Sequence, residues 1–207
     1  METLPTGISV LDREFGGGLP SGSVVVLTAD PASQSELILD RFSRVRDCRY
    51  LTTVRPVDAV EDALTLDTDE SAATDVRRID DGDTFDGVLE RAADLPERGT
   101  VVVDSVEPLE RRDRTEYQEF LNDLRRTADE ADAMVLLHAL KSDADTPNRL
   151  VTEQVADLVF DLRTTVTGTE IVNRLIVPKY RGGAALEEPL KLKLTDSVSV
   201  DTSRDIA

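Results

Sequence analysis

The loop at residues 28–36, which links a short apolar strand to a helix, carries the residues with the clearest chemical meaning. Its sequence is T-A-D-P-A-S-Q-S-E, with apolar residues directly before it at 24–27 and directly after it at 37–39. A loop in this position binds phosphate when it follows the pattern G-x-x-x-x-G-K-[ST]. The glycines let backbone amides close on the phosphate, the lysine supplies positive charge, and the hydroxyl binds Mg²⁺.

Aligned on that pattern without gaps, the loop lacks each of these groups. Ala29 and Gln34 stand where the two glycines belong. Ser35 replaces the lysine, Glu36 replaces the metal-binding hydroxyl, and Asp30 adds a second carboxylate. A helix N-terminus attracts anions, and each carboxylate there contributes roughly 0.3–1 kcal/mol, so we predict that the chain fills this anion site with its own side chains. The degenerate phosphate loop comprises Ala29, Asp30, Ala32, Ser33, Gln34, Ser35 and Glu36.

The segments around this loop resemble those of the RecA/KaiC-like ATPases. Residues 6–28 read T-G-I-S-V-L-D-R-E-F-G-G-G-L-P-S-G-S-V-V-V-L-T, which is similar to the family's N-terminal segment leading into the first core strand. Residues 99–105 read G-T-V-V-V-D-S and resemble its Walker B strand. The resemblance implies that Asp104, followed by Ser105, holds the Mg²⁺ shell. The alternative is a remnant that caps a loop or pairs with an arginine.

A third resemblance lies near the C-terminal end of the chain. Residues 177–183 read V-P-K-Y-R-G-G and resemble the K-x-R-G element of KaiC-like domains. This implies that Lys179 and Arg181 reach the nucleotide of a neighbouring subunit, while the alternative is pairing with Glu187 or Glu188.

His138 is expected just past a core strand, where RecA-like folds place a polar sensor residue. The alternative is a loop histidine bonded to backbone.

The chain also departs from the family at the end of the second core strand. KaiC-like ATPases have a T-F-E-E-x-P type segment there, whose glutamate activates the attacking water. Here residues 50–56 read Y-L-T-T-V-R-P, and no carboxylate follows until Asp58. The lysine, the metal-binding hydroxyl and the general base are therefore all missing, so we predict no catalytic residues and no metal site, with Asp104 the one weak metal candidate.

Composition narrows the class of protein. The chain has 207 residues, 42 acidic and 24 basic side chains and a net charge of −18, with lysine scarce. A dense carboxylate surface stays hydrated where salt screens charge strongly, so we predict a halophilic, archaeal protein; the alternatives are an acidic mesophilic or a partly disordered protein. Nucleic-acid binding is not expected, because it depends on basic side chains that neutralise phosphates, and the arginine clusters lie among carboxylates.

The alternation of apolar strands and amphipathic helices predicts an α/β fold. The resemblance implies a RecA-like three-layer sandwich, with a mostly parallel central sheet and antiparallel C-terminal strands. We expect one domain over 1–200 and a frayed tail over 201–207. The predicted strands are 23–28, 49–53, 76–79, 100–105, 133–137, 155–162, 170–177 and 190–194. The predicted helices are 33–46, 57–64, 85–95 and 115–131, with polar loops at 65–75 and 141–149.

Single residues and short segments add three smaller predictions. Cys48 is the one cysteine and is predicted to be a buried, small apolar residue at the start of a strand. Gly16–Gly18 precede the strand rather than follow it, so we predict turn residues that allow close packing. The sequence shows neither a signal peptide nor an apolar run of transmembrane length, so we expect a cytoplasmic protein without membrane contact.

Two hypotheses for function follow. The first is a catalytically degenerate RecA/KaiC-like domain, a pseudo-ATPase acting as a regulatory or protein-interaction module. Its partner would be a protein, either an active RecA/KaiC-like paralogue or a second copy of itself, and no cofactor is expected. The second hypothesis is a divergent nucleotide-binding ATPase of the KaiC/RadA type, with Mg-ATP as cofactor and a role in signalling or in DNA recombination and repair.

Overall fold

The computed structural model describes residues 2–65, 72–93, 97–141, 146–184 and 186–200. The strands are β1 (Thr3–Leu4), β2 (Leu19–Pro20), β3 (Val24–Ala29), β4 (Cys48–Thr52), β5 (Thr74–Arg78), β6 (Thr100–Asp104), β7 (Met134–Leu140), β8 (Leu158–Thr167), β9 (Glu170–Tyr180), β10 (Leu190–Leu194) and β11 (Val198–Val200). The helices are α1 (Ser9–Glu14), α2 (Glu36–Arg44), α3 (Val57–Thr65), α4 (Phe85–Ala92), α5 (Glu107–Glu110), α6 (Arg114–Glu130) and α7 (Arg149–Val155).

Nine strands form one sheet in the order β11-β10-β9-β8-β3-β7-β6-β4-β5, and β1 pairs separately with β2. The six strands from β8 to β5 are mutually parallel. From β8 outwards to β11, each pairing is antiparallel. The predicted α/β sandwich, with a mostly parallel sheet and antiparallel C-terminal strands, is therefore confirmed.

Alternate residues of the central strands pack into two separate cores, one on each face of the sheet. In β3, Val25 and Leu27 pack with helices α1, α2 and α3, whereas Val24 and Val26 pack with helices α4 to α7. These four side chains are at most 1% exposed. A strand covered on both faces needs apolar residues at every position, which is why this segment reads as a continuous apolar run.

The helix after the loop at residues 28–36 begins later than predicted. The expected start at Ser33 is wrong, since the amide and the hydroxyl of Ser33 both donate to the carbonyl of Asp30, at 2.9 and 2.6 Å. These two bonds close a turn in front of the helix, and Ser35 then occupies the N-cap position of α2. Glu36 consequently lies in the first helical turn.

Other boundaries also differ from the predictions. The expected strand 133–137 continues to Leu140, so His138 lies within β7 and not past its end. Helix α7 is absent from the predictions, and it includes Val155, the expected first residue of a strand. The hairpin-like pairing of β9 with β10 is confirmed, although β9 has its longer pairing with β8. The predicted loops include 66–71 and 142–145, and these lie outside the described residues, as does the predicted tail 201–207.

The glycines at 16–18 are turn residues, as predicted. Gly18 has a φ of +129°, and a Cβ atom there would lie 2.1 Å from the carbonyl oxygen of Leu4. Only glycine permits so close an approach of two backbone segments. Cys48 is buried as the first residue of β4, which confirms that prediction too. Within the described ranges, none of the helices combines the length and apolar character needed to span a bilayer.

Candidate functional site

Three polar residues from separate parts of the sequence meet where the central parallel strands end. Ser35 follows β3 and its loop, Asp104 ends β6, and His138 lies in β7 between these two strands. His138 is in register with Asp104 on one side and with Leu27 on the other. Ligands of open α/β sheets bind at the carboxyl ends of the strands, so this is the position where a site is expected.

These three side chains form a continuous hydrogen-bonded chain. The Ser35 hydroxyl lies 3.0 Å from Nε2 of His138, and Nδ1 of His138 lies 2.7 Å from Oδ1 of Asp104. The exposed fractions are 1% for Ser35, 1% for His138 and 6% for Asp104, so the chain is closed to solvent. The expectation of a loop histidine bonded to backbone is wrong, since both ring nitrogens contact side chains.

The second carboxylate oxygen of Asp104 is also bonded. The hydroxyl of Tyr50 donates to Oδ2 at 2.7 Å. Arg55 donates to the same oxygen twice, from Nη2 at 2.8 Å and from Nε at 3.2 Å. Arg55 Nη2 further donates to the Tyr50 hydroxyl at 2.8 Å. The alternative that Asp104 pairs with an arginine is therefore what the structure contains.

The surrounding groups fix the charge state of Asp104. Burial alone would raise the pKa of its carboxyl, but the hydrogen bond and charge of His138, aided by Arg55 and Tyr50, lower this pKa to about 2. Burial, followed by the charge of Asp104, raises the pKa of Tyr50 well above its usual value. Asp104 is thus an anion at neutral pH, and Nδ1 of His138 donates to it. The other ring nitrogen of His138, Nε2, is hydrogen-bonded to the Ser35 hydroxyl.

Apart from Ser35, the residues at 30–36 are exposed or half-buried. Ala32, Gln34 and Glu36 are exposed, while Asp30 and Ser33 are half-buried. The Ser33 hydroxyl lies 3.2 Å from that of Ser35 and so extends the chain towards the surface. Ala29 ends β3 and is fully buried.

Ser105 is held through its backbone and lies beside the hydrogen-bonded chain. Its amide donates to the Thr53 hydroxyl at 2.9 Å, and that hydroxyl lies 2.8 Å from the Ser105 carbonyl oxygen. Thr53 follows β4, so this contact joins the ends of two neighbouring strands. The loop that carries Arg55 is thereby anchored next to Asp104.

The structure does not bring Lys179 and Arg181 to this site. The Lys179 ammonium donates to the carbonyls of Glu153 and Gln154 at 2.7 and 3.0 Å, and Arg181 donates to the Gln154 carbonyl at 3.0 Å. Both therefore bind the C-terminal end of α7 within their own chain, and their alternative partners Glu187 and Glu188 are not used. Burial, and then the nearby charge of Arg181, lowers the pKa of Lys179. Their contact with a neighbouring subunit stays a prediction.

Sequence reasoning missed Tyr50 and Arg55. Both lie in the segment 50–56 that was compared with the glutamate-bearing segment of KaiC-like ATPases. The available signal was a reversal of charge, since that segment carries an arginine and no carboxylate. A cation there needs a buried anion as partner, and the aspartate ending the adjacent strand was the nearest candidate.

These elements define a RecA/KaiC-like fold in which polar residues at the carboxyl ends of the central strands bond to one another. The fold is similar to the crystal structure of a KaiC-like protein from the hyperthermophilic archaeon Pyrococcus horikoshii OT3, with a TM-score of 0.73. The two are 15% identical, and the similarity covers 97% of this chain and 99% of the other. The chain belongs to the family of unknown function DUF7125, whose model matches residues 3–207. No curated protein matches its sequence.

Proposed function

We propose that this chain is a catalytically degenerate RecA/KaiC-like domain that acts as a regulatory or protein-interaction module and does not hydrolyse ATP. The observation that carries the proposal is that both carboxylate oxygens of Asp104 are hydrogen-bonded within the chain. Its Oδ1 is bonded to His138, and its Oδ2 accepts from Tyr50 and Arg55. A Walker B aspartate supports Mg²⁺ through a carboxylate oxygen, and here both oxygens are already bonded to side chains of the same chain.

The charge balance supports the same proposal. The Arg55 guanidinium lies 2.8 Å from Asp104 and supplies the positive charge that a metal ion would otherwise bring. A nucleotide would have to displace these bonds, and hydrogen bonds to charged groups contribute roughly 1.5–3 kcal/mol each. It would also bring phosphates towards Asp30 and Glu36, without a lysine in the loop to offset the repulsion.

A hydrolytic role for Ser35 is the other chemistry that this geometry suggests, because Ser35, His138 and Asp104 have the bonding order of a Ser-His-Asp triad. A nucleophile must reach its substrate, yet Ser35 is 1% exposed. It also lines neither of the two cavities described beside the loop. We therefore assign the three residues a structural role. A fluorophosphonate probe should leave Ser35 unlabelled, and labelling that Ser35→Ala abolishes would instead establish serine-hydrolase chemistry.

A projecting two-stranded ribbon, residues 164–172, supports the interaction part of the proposal. Strand β3 pairs with β8 only as far as Asp161, and β10 pairs with β9 only from Asn173, so the ribbon extends beyond both neighbours. Val166 and Ile171 are cross-strand partners at its tip, exposed by 73% and 69%. The ribbon carries one charged residue, in a chain of which 32% is charged. A partner protein can therefore approach this nearly uncharged ribbon with little repulsion and contact its two exposed apolar side chains.

The high net negative charge bears on the environment in which this module works. We propose a salt-adapted archaeal protein of the cytoplasm, whose partner is an active paralogue or a second copy of the chain.

A photo-crosslinking residue at Val166 should capture that partner in the native host, whereas the same residue at exposed Glu61 on α3 should not. Equal capture from both positions would contradict a role for the ribbon.

Calorimetry with Mg·ATP in molar KCl tests the central claim. We expect no binding at physiological nucleotide concentrations, and a micromolar dissociation constant would favour the second candidate, a divergent ATPase. A variant with a restored loop provides the positive control. Its substitutions are Ala29→Gly, Asp30→Pro, Ala32→Gly, Gln34→Gly, Ser35→Lys and Glu36→Thr.

The restored variant should be less stable than the parent without ligand. The added glycines increase the entropy of the unfolded chain, and the new lysine replaces the hydroxyl that bonds His138. Mg·ATP should raise its thermal midpoint through binding linkage, but not that of the parent. Hydrolysis should stay negligible, because residues 50–56 contain no carboxylate. Rapid turnover would show that another group, such as Asp58, acts as general base.

A further inference from the structure

The outermost strand at one end of the sheet, β5, has an open edge. Among the described residues it pairs with β4 alone, and the amide of Ile79 directly after it donates to the carbonyl of Thr52 at 2.8 Å. Alternate residues of a strand direct their backbone groups to opposite sides, so the amides and carbonyls that point away from β4 belong to Thr74, Val76 and Arg78. No described residue bonds to these outward groups, so the edge can accept a further strand.

The side chains of β5 point to the two faces of the sheet. Val76 is buried in the core beneath α2 and α3, whereas Asp75 is exposed and Arg77 is half-buried on the opposite face. Arg77 donates to Oδ2 of Asp75 from Nη2 at 2.9 Å and from Nε at 3.1 Å. Arg49 Nε lies 3.2 Å from the same oxygen. Within the described part of the chain, Oδ1 of Asp75 and Nη1 of Arg77 have no partner and remain open to a contact from outside.

The sequence of this strand, T-D-V-R-R, is complementary to itself when two copies run antiparallel. A two-fold axis at Val76 places Asp75 of each copy directly opposite Arg77 of the other. The outward groups then match, because Val76 bonds to Val76 of the second copy and Thr74 bonds to Arg78. Opposite charges that face each other across such a ladder stabilise it, and like charges destabilise it. The charges of this edge therefore favour a second copy in this one register.

We propose that β5 is an interaction surface for a second copy of this chain, which pairs with it edge to edge as an antiparallel strand centred on Val76. Main-chain hydrogen bonds join the two sheets into one. Oδ1 of Asp75 accepts from Arg77 of the second copy, and the reverse pair forms at the other end. This names one partner within the proposed function, but it rests neither on the ribbon nor on the loss of ATPase activity.

Charge reversal at this edge tests the proposal by sedimentation equilibrium in 0.5 M KCl, which screens the net charge of the two copies. The parent should dimerise with a dissociation constant of about 0.1–1 mM, because a ladder of this length makes a small interface. Asp75→Arg places an arginine opposite Arg77 of the second copy, and Arg77→Asp places an aspartate opposite Asp75. Each single variant should therefore dimerise about tenfold more weakly than the parent, or less well still.

A mixture of the two single variants should regain the affinity of the parent, since every new side chain then faces the opposite charge. The double variant, with both substitutions in one chain, should dimerise with itself for the same reason. Amide exchange followed by NMR locates the contact. The amides of Thr74, Val76 and Arg78 should exchange more slowly as the protein concentration rises.

Two controls should leave dimerisation unchanged. Arg126→Asp alters the net charge as much as Arg77→Asp does, but at an exposed ion pair on α6. Val166→Asp places a charge on the ribbon and so distinguishes the two surfaces. Circular dichroism checks that each variant folds. If Asp75→Arg does not fold beside Arg49, the comparison of Arg77→Asp with Arg126→Asp still decides the question.

Three results would each overturn the proposal. The first is a parent chain that stays monomeric up to about 2 mM, above the expected dissociation constant. The second is a single variant at Asp75 or Arg77 that dimerises as well as the parent, or a mixture that regains nothing. The third is dimerisation that Val166→Asp abolishes and Arg77→Asp leaves intact, which would assign the contact between copies to the ribbon.

Discussion

Replacement of Arg55 by methionine tests whether the closed site is held by internal charge compensation. The substitution keeps most of the apolar stem and removes the guanidinium. Three hydrogen bonds are lost, two to Oδ2 of Asp104 and one to the hydroxyl of Tyr50. The carboxylate of Asp104 would then keep only the hydrogen bonds from His138 and Tyr50. Its side chain is 8% exposed.

The size of the effect follows from the burial of the two partners. Removing one member of a fully buried ion pair costs about 3–5 kcal/mol, because an uncompensated charge remains inside. Arg55 is 34% exposed, so water can partly replace it, and His138 still bonds the other carboxylate oxygen. We therefore expect Arg55→Met to lower the free energy of unfolding by about 2–3 kcal/mol, below the fully buried value.

Arg77→Met is the matched control. Arg77 lies 2.9 Å from Asp75, close to the 2.8 Å between Arg55 and Asp104, but its pair is 39% and 51% exposed. Such a surface pair contributes about 0–1 kcal/mol. Urea unfolding followed by circular dichroism gives both values, at 0.5 M and at 3 M KCl. The Arg77 effect should vanish at the higher salt, while the Arg55 effect should persist, because buried pairs are screened little.

The reasoning is refuted if Arg55→Met costs no more than Arg77→Met, or if 3 M KCl abolishes its effect. A double-mutant cycle with Asp104→Asn separates the pairwise term from lost packing, and a coupling energy of about 1–2 kcal/mol is expected. If Arg55→Met does not fold, Arg55→Lys retains the charge without the forked geometry. The free energy of unfolding of Arg55→Lys should then lie between those of the parent and the methionine variant, at whichever salt concentration permits folding.

Three further predictions follow from other parts of the structure. Because 42 carboxylates repel one another when unscreened, dialysis from molar KCl to 0.1 M should lower the thermal midpoint markedly, and an unchanged midpoint would contradict a salt-adapted surface. Burial raises the pKa of the Cys48 thiol, so alkylation at pH 8 should proceed only as fast as the chain unfolds; rapid labelling of the native protein would show otherwise. Gly16→Ala meets no neighbouring atom and should cost about 1–2 kcal/mol for its positive φ, whereas Gly18→Ala also collides with the Leu4 carbonyl and should cost clearly more in urea unfolding; equal costs would rule out that close approach.

Much of the fold could be predicted from local sequence. Strands β3, β6 and β7 are short apolar runs, and α6 has apolar residues at helical spacing, because each element must present apolar surface to a core. Helices α5 and α7 were missed because they lack this apolar pattern. They have four and seven residues, and they bury polar side chains such as Glu110 and Thr152, so no apolar period marks them.

The sequence by itself determined that the loop at residues 28–36 lacks the groups of a phosphate-binding loop, because each of those groups is a single side chain at a fixed position. It also indicated that Asp104 ends a buried strand. Only the tertiary structure decided that Ser35, His138 and Asp104 touch. The strand that precedes Ser35 and the strands that carry His138 and Asp104 lie side by side as β3, β7 and β6, whereas their order along the chain is β3, β6 and β7. Local sequence encodes burial and turns, but side-chain contact between distant segments depends on strand order and register, which the packing of the whole sheet sets.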